Sequence, residues 1–577
     1  MNSSKENSWE HQQQVIDAKI KSVEESIRAE IKSLEDTVLA LTRRRNALAP
    51  ISSLPTEVIA AIFFLLRNLR LFGSDGRPKS FLALRVAQVC HQWREIALEN
   101  PLLWSHFDFS TVSPAGATEI LARAKMTPLS LEAIAHCYRH WDDGQVFSLQ
   151  KELQTHIFHT CHLSLGNYGR VLNKILEGLI FPAPILETLS LSAERTSRAS
   201  VPDTLFDGAA PKLSSLQLSD CDINWKSPLL KGLKNLEIRR LSEAPRLTDW
   251  LDALEEMPQL ERLVIDSASP RSPPPPFPYN PEYFATLPSL SHLHISASVF
   301  DCGFALSHLI LPVLTSLCVT ASPDPRSDHL TARNVKEISP YISKHSHGRQ
   351  DSQPLQSVSI HKDFTRLDIL AWQTPHVDVP AWEQERSTRV ELSFTTNDES
   401  GLYLDNYVEV LGMAMDALSL RNLVMLTSPC NTRLDMYFWR DQAASWPLLE
   451  RVDLAPRSAR GFMEMLLEDD GGREHPLLPS LTYLRLIGSS LSVHRFFCLV
   501  RDALMKRVEQ GVPLEVLDLR MCSAPSLVVR LLSEIVVHVW GSTESDMETE
   551  KRMDGMWMTR DGVCCPFLCD YYDDDLE

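Results

Sequence analysis

Glycine is scarce in this chain, 21 among 577 residues, and loops that cradle phosphates need glycine for close backbone approach. That scarcity counts against a nucleotide enzyme. Positive charge is also in the minority: the formal net charge is -18, and no concentrated basic patch offsets it. The balance argues against a nucleic-acid binder, because phosphate backbones repel such a surface. Long apolar runs are missing too. The longest, Val58 to Leu66, is too short to span a bilayer, and Met1 to Glu10 is polar where a signal peptide would carry its apolar core. A soluble, intracellular protein of the cytoplasm or nucleus is expected, with no membrane association. The 12 cysteines are spread thinly, and Cys221, Cys318 and Cys522 sit inside apolar stretches. That usage fits a reducing compartment, where the thiol serves as a small hydrophobe.

Catalytic patterns are lacking as well. The chain has no Gly-x-Ser-x-Gly elbow, no Gly-x-x-x-x-Gly-Lys-Ser/Thr phosphate loop and no His-Glu-x-x-His zinc helix. Two clusters hold metal-ligating residue types: His156, His159, Cys161 and His162, and the C-terminal Cys564, Cys565 and Cys569. Neither supplies the two spaced ligand pairs that structural zinc takes. No catalytic residue, no metal and no cofactor is expected.

What the chain does contain starts with a helix. Across residues 12–48, Ile16, Ile20, Val23, Ile27, Ile31, Leu34, Val38 and Leu41 follow one another in steps of three and four. Asp17 with Lys21 and Glu24 with Arg28 add favourable pairs, and no proline or glycine intervenes before Pro50. The stripe fits a coiled coil through which the protein self-associates, a helix folded back on its own chain, or a short stalk without a partner. Its spacing departs from a strict heptad across Ile27 and Ile31.

Residues 50–106 change character. Pro55 suits the first turn of a new helix, Val58 to Leu66 is apolar nearly all round, and a third helix is expected from Phe81 to Glu99. So small and apolar a unit depends on a partner. Its order of blocks is Leu54-Pro55-Thr56-Glu57-Val58-Ile59, then Ile62-Phe63, then Val89-Cys90-His91-Gln92-Trp93-Arg94. This resembles the F-box, and the following Asn100-Pro101-Leu102-Leu103-Trp104 resembles the fungal F-box proteins. The link before Phe81 is longer than the usual one. The resemblance implies docking on a Skp-family adaptor of a cullin–RING ubiquitin ligase through Leu54, Pro55, Ile59, Ile62, Phe63, Val89, Cys90 and Trp93. The competing reading makes some of these, Ile62, Val89 and Cys90 above all, internal core of the module.

Beyond residue 120 the unit Leu-x-x-Leu-x-Leu recurs. Copies lie at Leu186/Leu189/Leu191, Leu213/Leu216/Leu218, Leu233/Leu236/Ile238, Leu260/Leu263/Ile265, Leu290/Leu293/Ile295 and Leu314/Leu317/Val319. Others follow at Leu355/Val358/Ile360, Leu420/Leu423/Met425, Leu449/Val452/Leu454, Leu481/Leu484/Leu486 and Leu514/Leu517/Leu519, with a degenerate copy at Val390/Leu392/Phe394. The expected fold is multidomain. A long helix or coiled coil (1–48) precedes the all-α F-box (50–106) and an α/β leucine-rich repeat solenoid (120–540), and an acidic mobile tail (541–577) ends the chain. The tracts 266–281 and 321–354 read as insertions outside any regular strand or helix. The corresponding function is a substrate receptor without catalysis of its own, holding an unknown client on the repeats. The alternatives are a non-degradative scaffold and an enzyme hidden in 321–417.

Overall fold

The computed structural model describes residues 3–68, 85–134, 143–273, 283–325, 330–346, 354–362, 365–375, 389–395, 407–429, 433–468 and 476–541. The chain divides into two compact units, Met1–Glu194 with Thr204–Lys212, and Arg195–Asp203 with Leu213–Glu577.

The first unit opens with α1 (Ser3–Ala47), a single helix unbroken by proline or glycine. Glu24 and Arg28 pair one turn apart at 3.7 Å. Its apolar stripe, Ile16 through Leu41, is exposed along its whole length. Helices α2 (Thr56–Asn68), α3 (His91–Glu99) and α4 (Pro101–Trp104) follow. The single helix expected from Phe81 to Glu99 is not formed. Cys90 is fully extended (φ -156°, ψ 170°) and caps α3, so the helix starts ten residues later than the apolar pattern suggested. Residues 81–84 lie outside the described residues. Helices α5 (Pro114–Ala124), α6 (Asp143–His156) and α7 (Gly169–Glu177) accompany the parallel strands β1 (His106–Asp108), β2 (Leu129–Ile134), β3 (Thr160–Asn167) and β4 (Thr188–Ala193). Phe107, Leu131, Leu163 and Leu189 stand side by side in register, all buried.

The second unit is built on thirteen strands: β5 (Ser215–Ser219), β6 (Asn235–Arg239), β7 (Arg262–Asp266), β8 (His292–Ser298), β9 (Ser316–Ser322), β10 (Ser357–Lys362), β11 (Arg366–Trp372), β12 (Val390–Thr395), β13 (Met425–Ser428), β14 (Arg451–Leu454), β15 (Tyr483–Ser490), β16 (Val516–Ser523) and β17 (His538–Gly541). The pairing runs β5-β6-β7-β8-β9-β12-β11-β10-β13-β14-β15-β16-β17. All pairs are parallel except those of β11, which runs against both neighbours. Helices α8 (Leu247–Glu255), α9 (Val299–Ser307), α10 (Ala332–Ser346), α11 (Tyr407–Ala417), α12 (Met436–Ala443), α13 (Pro456–Leu467), α14 (His494–Glu509) and α15 (Ser526–Leu532) connect them. This is a mixed α/β unit in which adjacent helices pack in succession, α9 on α10, α10 on α11 and α13 on α14.

One apolar row crosses the whole sheet in register: Leu216, Leu236, Leu263, Leu293, Leu317, Val390, Ala371, Val358, Leu426, Val452, Leu484, Leu517 and Val539. The sequence copies therefore fall on strands, with one slip. The copy Leu420/Leu423/Met425 is off by three residues: Leu426 occupies the row, so the set in register is Leu423/Leu426/Ser428. Three consecutive strands end on a left-handed residue, Asp220, Arg240 and Ser267. The amide of each donates to a carbonyl of the next strand, Arg239, Asp266 and Ser296, which extends the ladder by one rung.

The tract 321–354 is not an irregular insertion. Strand β9 continues to Ser322, and α10 fills Ala332–Ser346. Val335, Ile338, Ile342 and His345 recur at helical spacing and are buried, while Pro340 sits on the exposed side, where losing one backbone hydrogen bond costs least. Thr331 and Asn334 cap its first turn reciprocally, each side chain accepting from the other's amide (3.1 and 3.3 Å). Much of the other tract, residues 274–281, lies outside the described residues, as does the acidic tail beyond Gly541.

His345 is buried against α9 and bonds through Nε2 to the Leu306 carbonyl at 3.0 Å. Burial first, and then nearby Lys344, pull its pKa down to about 4 from 6.5, although the carbonyl bond works the other way. The neutral ring is therefore the folded form, and protonation favours unfolding. Its contribution is fully present above pH 6.5 and is lost as pH falls towards 4, by up to about 3 kcal/mol. The expected result is that His345→Gln flattens the loss of urea stability between pH 7 and pH 4.5. Parallel profiles for the two proteins would refute this assignment.

Candidate functional site

The helical module of residues 51–110 is held by a compact core. Ile59 and Phe63 on α2, Val86 ahead of α3, Ile96 and Ala97 on α3, and Leu103 and Trp104 on α4 are buried. Phe63 meets Trp93 edge to face, with ring centroids 5.0 Å apart and planes at 62°. Trp104 donates its indole N–H to the Ala97 carbonyl at 2.6 Å, and the Arg123 guanidinium lies 4.8 Å above its ring. Gln92 reaches the Ser52 carbonyl at 3.5 Å, and the Ser52 hydroxyl donates to the Asn46 carbonyl at 2.9 Å. These bonds tie α3 and the end of α1 to the turn before α2.

The eight residues singled out from sequence separate into three groups. Ile59 and Phe63 belong to the core, at 0% and 1% exposure, and support the surface from behind. Ile62, Cys90 and Trp93 are half-buried. Leu54, Pro55 and Val89 are exposed, so Val89, at 58%, is not the core residue that the competing reading made of it.

The outer face also holds residues that sequence reasoning missed. Val58, Phe64 and Leu65 on α2, with Leu98 and Leu102 further on, are exposed apolar side chains. From Leu54 the steps to Val58, Ala61 and Leu65 follow the helical period, a signal hidden in a run that was apolar on every side. So much exposed apolar surface on one short helix is the mark of a protein-docking face.

Residues 51–110 match the model of the F-box-like family. The chain thus carries an F-box-like domain where the three ordered sequence blocks lie. Domains of this kind bind Skp-family adaptors and suggest an adaptor role in ubiquitin ligases. No curated protein matches the chain.

Three of the residues weighed for metal binding, His156, His159 and Cys161, make hydrogen-bonding contacts. His156 Nδ1 and His159 Nε2 are 2.9 Å apart, His159 Nδ1 lies 2.9 Å from the Thr127 carbonyl, and the Cys161 thiol donates to the Leu129 carbonyl at 3.1 Å. Among the described residues no group of three or more His, Cys, Asp or Glu is placed to hold a metal ion. Cys564, Cys565 and Cys569 lie outside the described residues. Burial pushes the Cys302 and Cys522 thiols up, to about 12 and about 11, so both stay protonated. Among the described residues no helix is long and apolar enough to cross a membrane.

Core and face make different demands on substitution. Phe63→Ala and Trp104→Ala are expected to cost about 3–5 kcal/mol each in denaturant unfolding. Leu65→Ser and Val89→Ser should stay within about 0.5 kcal/mol of the parent. A Leu65→Ser loss as large as that of Phe63→Ala would show that the outer face is misassigned.

Proposed function

We propose that this protein is a substrate-receptor subunit of a cullin–RING ubiquitin ligase of the Skp–cullin–F-box type. The observation that carries the reading is the F-box-like match over 51–110 on a module whose exposed apolar row has no cover among the described residues. A Skp-family adaptor would take Leu54, Pro55, Val58, Leu65 and Val89 as apolar anchors, with Ile62, Cys90 and Trp93 at their margin. The second unit reads as a leucine-rich repeat array, supported by the in-register apolar row, and its polar sheet face is the surface offered to a client protein. No chemistry is asked of this chain. It raises the client's effective concentration near the conjugating enzyme, and other subunits supply catalysis.

Co-purification with a Skp-family adaptor tests the reading. The wild-type chain should retain the adaptor, and a Leu54→Ala/Pro55→Ala double variant with an unchanged unfolding midpoint should lose it. Retention by neither would leave the module an F-box in appearance only, and an adaptor complex that recruits no cullin would favour the scaffold.

The exposed stripe of α1 supports self-association through residues 12–48. Replacing Ile20, Ile27 and Leu34 by serine should halve the mass seen in light scattering while adaptor binding persists. An unchanged mass would end the coiled-coil reading.

A further inference from the structure

The stripe of α1 stays open down to the F-box-like module. Each of its apolar side chains from Ile16 to Leu41, and Leu48 beyond them, is at least half exposed. Over residues 13–47 only Thr42 and Asn46 are half-buried. At that end the helix meets the turn Pro50–Ser53, and the Ser52 hydroxyl donates to the Asn46 carbonyl at 2.9 Å. Thr42 directly follows Leu41, and Asn46 directly follows Arg45, a rotation of about 100° around the helix. The module therefore flanks the stripe without covering it.

The residue types along the stripe are those of a two-stranded coil. In its C-terminal half Ile31, Val38 and Arg45 take the a positions of the heptad, and Leu34, Leu41 and Leu48 take the d positions. β-Branched residues at a with leucine at d favour two strands, and a polar residue at a, here Arg45, fixes the register. Upstream, Ile20 and Ile27 take a, and Ile16 and Val23 take d. The halves join through a step of eleven residues from Ile20 to Ile31, a heptad plus four. Such a step unwinds the supercoil locally and keeps the stripe on one face.

Charge beside the stripe sets the direction of the second strand. In a parallel, in-register pair the g position of one heptad meets the e position of the partner's next. Lys19 then faces the partner's Glu24, an attraction made twice by symmetry, and Glu30 faces the partner's Glu35, a repulsion. Glu24 also pairs with Arg28 of its own helix, loosely at 3.7 Å and in solvent, so its carboxylate can serve both. An antiparallel pair that keeps the apolar positions opposed sets Ile20 against Leu41, Val23 against Val38 and Ile27 against Leu34. There g meets g and e meets e, so Lys19 faces the partner's Arg44 and Glu24 faces the partner's Glu35. Both contacts are between like charges. The parallel pair wins.

We propose that α1 pairs with α1 of a second copy of this chain, parallel and in register, and that the coil carries two F-box-like modules side by side at its C-terminal end. The helix axes lie about 8–10 Å apart, and the two-fold axis along the coil puts the modules on opposite flanks. An antiparallel coil would hold them at opposite ends, roughly 50 Å apart. The proposal rests on the self-association stated above and adds strand number, direction and register. With the receptor reading it makes the assembly two-headed, with two adaptor sites presented from one end.

Oxidative cross-linking of the full chain tests the direction, with wild type as the blank for its own 12 cysteines. Leu41→Cys should give a covalent dimer on a non-reducing gel, because the two thiols share one layer of a parallel coil. In the antiparallel coil they stand roughly 31 Å apart, beyond any disulfide. Ile20→Cys should cross-link likewise. Bridging by the Ile20→Cys/Leu41→Cys double variant where neither single variant bridges would overturn the parallel arrangement. Lys19→Glu should weaken dimerisation about tenfold in sedimentation equilibrium, and Glu30→Lys should strengthen it. A tighter dimer with Lys19→Glu would again indicate the antiparallel coil, since the new carboxylate would face the partner's Arg44. A mass of three chains would overturn the strand number. A mass of one chain would end the self-association reading and this proposal with it, while adaptor co-purification, read separately, would stand.

Discussion

The second unit depends on one constraint: each strand must bury the same row of its side chains at the same register as its neighbour. In a sheet the side chains alternate faces, so a slip of one residue would expose that row and bury the polar one. Leu216 to Leu517 show the constraint met across twelve strands, with half-buried Val539 continuing the row on the edge strand; each buried leucine or valine contributes on the order of 1.5–3 kcal/mol. Everything else in the unit follows from the row. Left-handed Asp220, Arg240 and Ser267 extend the ladder without moving it. Gly461 lets α13 pass against the backbone of Leu434 and Asp435, where a Cβ would collide with the main chain. Arg507 on α14 is buried and donates to the carbonyls of Leu477, Leu478 and Leu481, so these groups before β15 are satisfied without water.

The same constraint explains the middle of the sheet, where sequence spacing loses its rhythm. Strands β10, β11 and β12 fill the space between β9 and β13 in reverse order, with β12 beside β9 and β10 beside β13. The reversal turns β11 antiparallel, yet Ala371 still stands in the apolar row between Val390 and Val358. A repeat can be inverted in this way when the row, and not the chain direction, is what must match.

Legibility in the sequence tracked local periodicity. The long helix α1, the strands carrying Leu-x-x-Leu-x-Leu and the F-box-like blocks were all readable, because each writes its period into adjacent residues. Strands β2 and β3 are hidden as copies: Pro128 and Thr160 stand where the first leucine would be, while Leu131/Ala133 and Leu163/Leu165 keep the rest. Helix α10 was hidden by Pro340, which reads as a breaker until its exposed position is known. In the candidate site the residue types were legible but their depth was not. Leu54 and Ile59 belong to the same short block, yet one is exposed and the other is fully buried, because the facing α3 and α4 decide which side of α2 is covered.

That division of depth bears on how the module meets a partner. Phe63 meets Trp93 edge to face, and Trp104 is anchored to Ala97 and covered by Arg123, so the surface above them is built on a packed floor. In the docking proposed above, anchors on such a floor would lose little conformational freedom, and the interaction would keep more of the free energy of burying Leu54, Val58 and Leu65. The arrangement also separates two kinds of failure. A substitution in the floor removes the fold and the contact together, whereas one in the outer row removes the contact alone. Only the outer row can therefore report on docking, and it includes the very side chains that a buried-or-exposed guess from sequence could not assign.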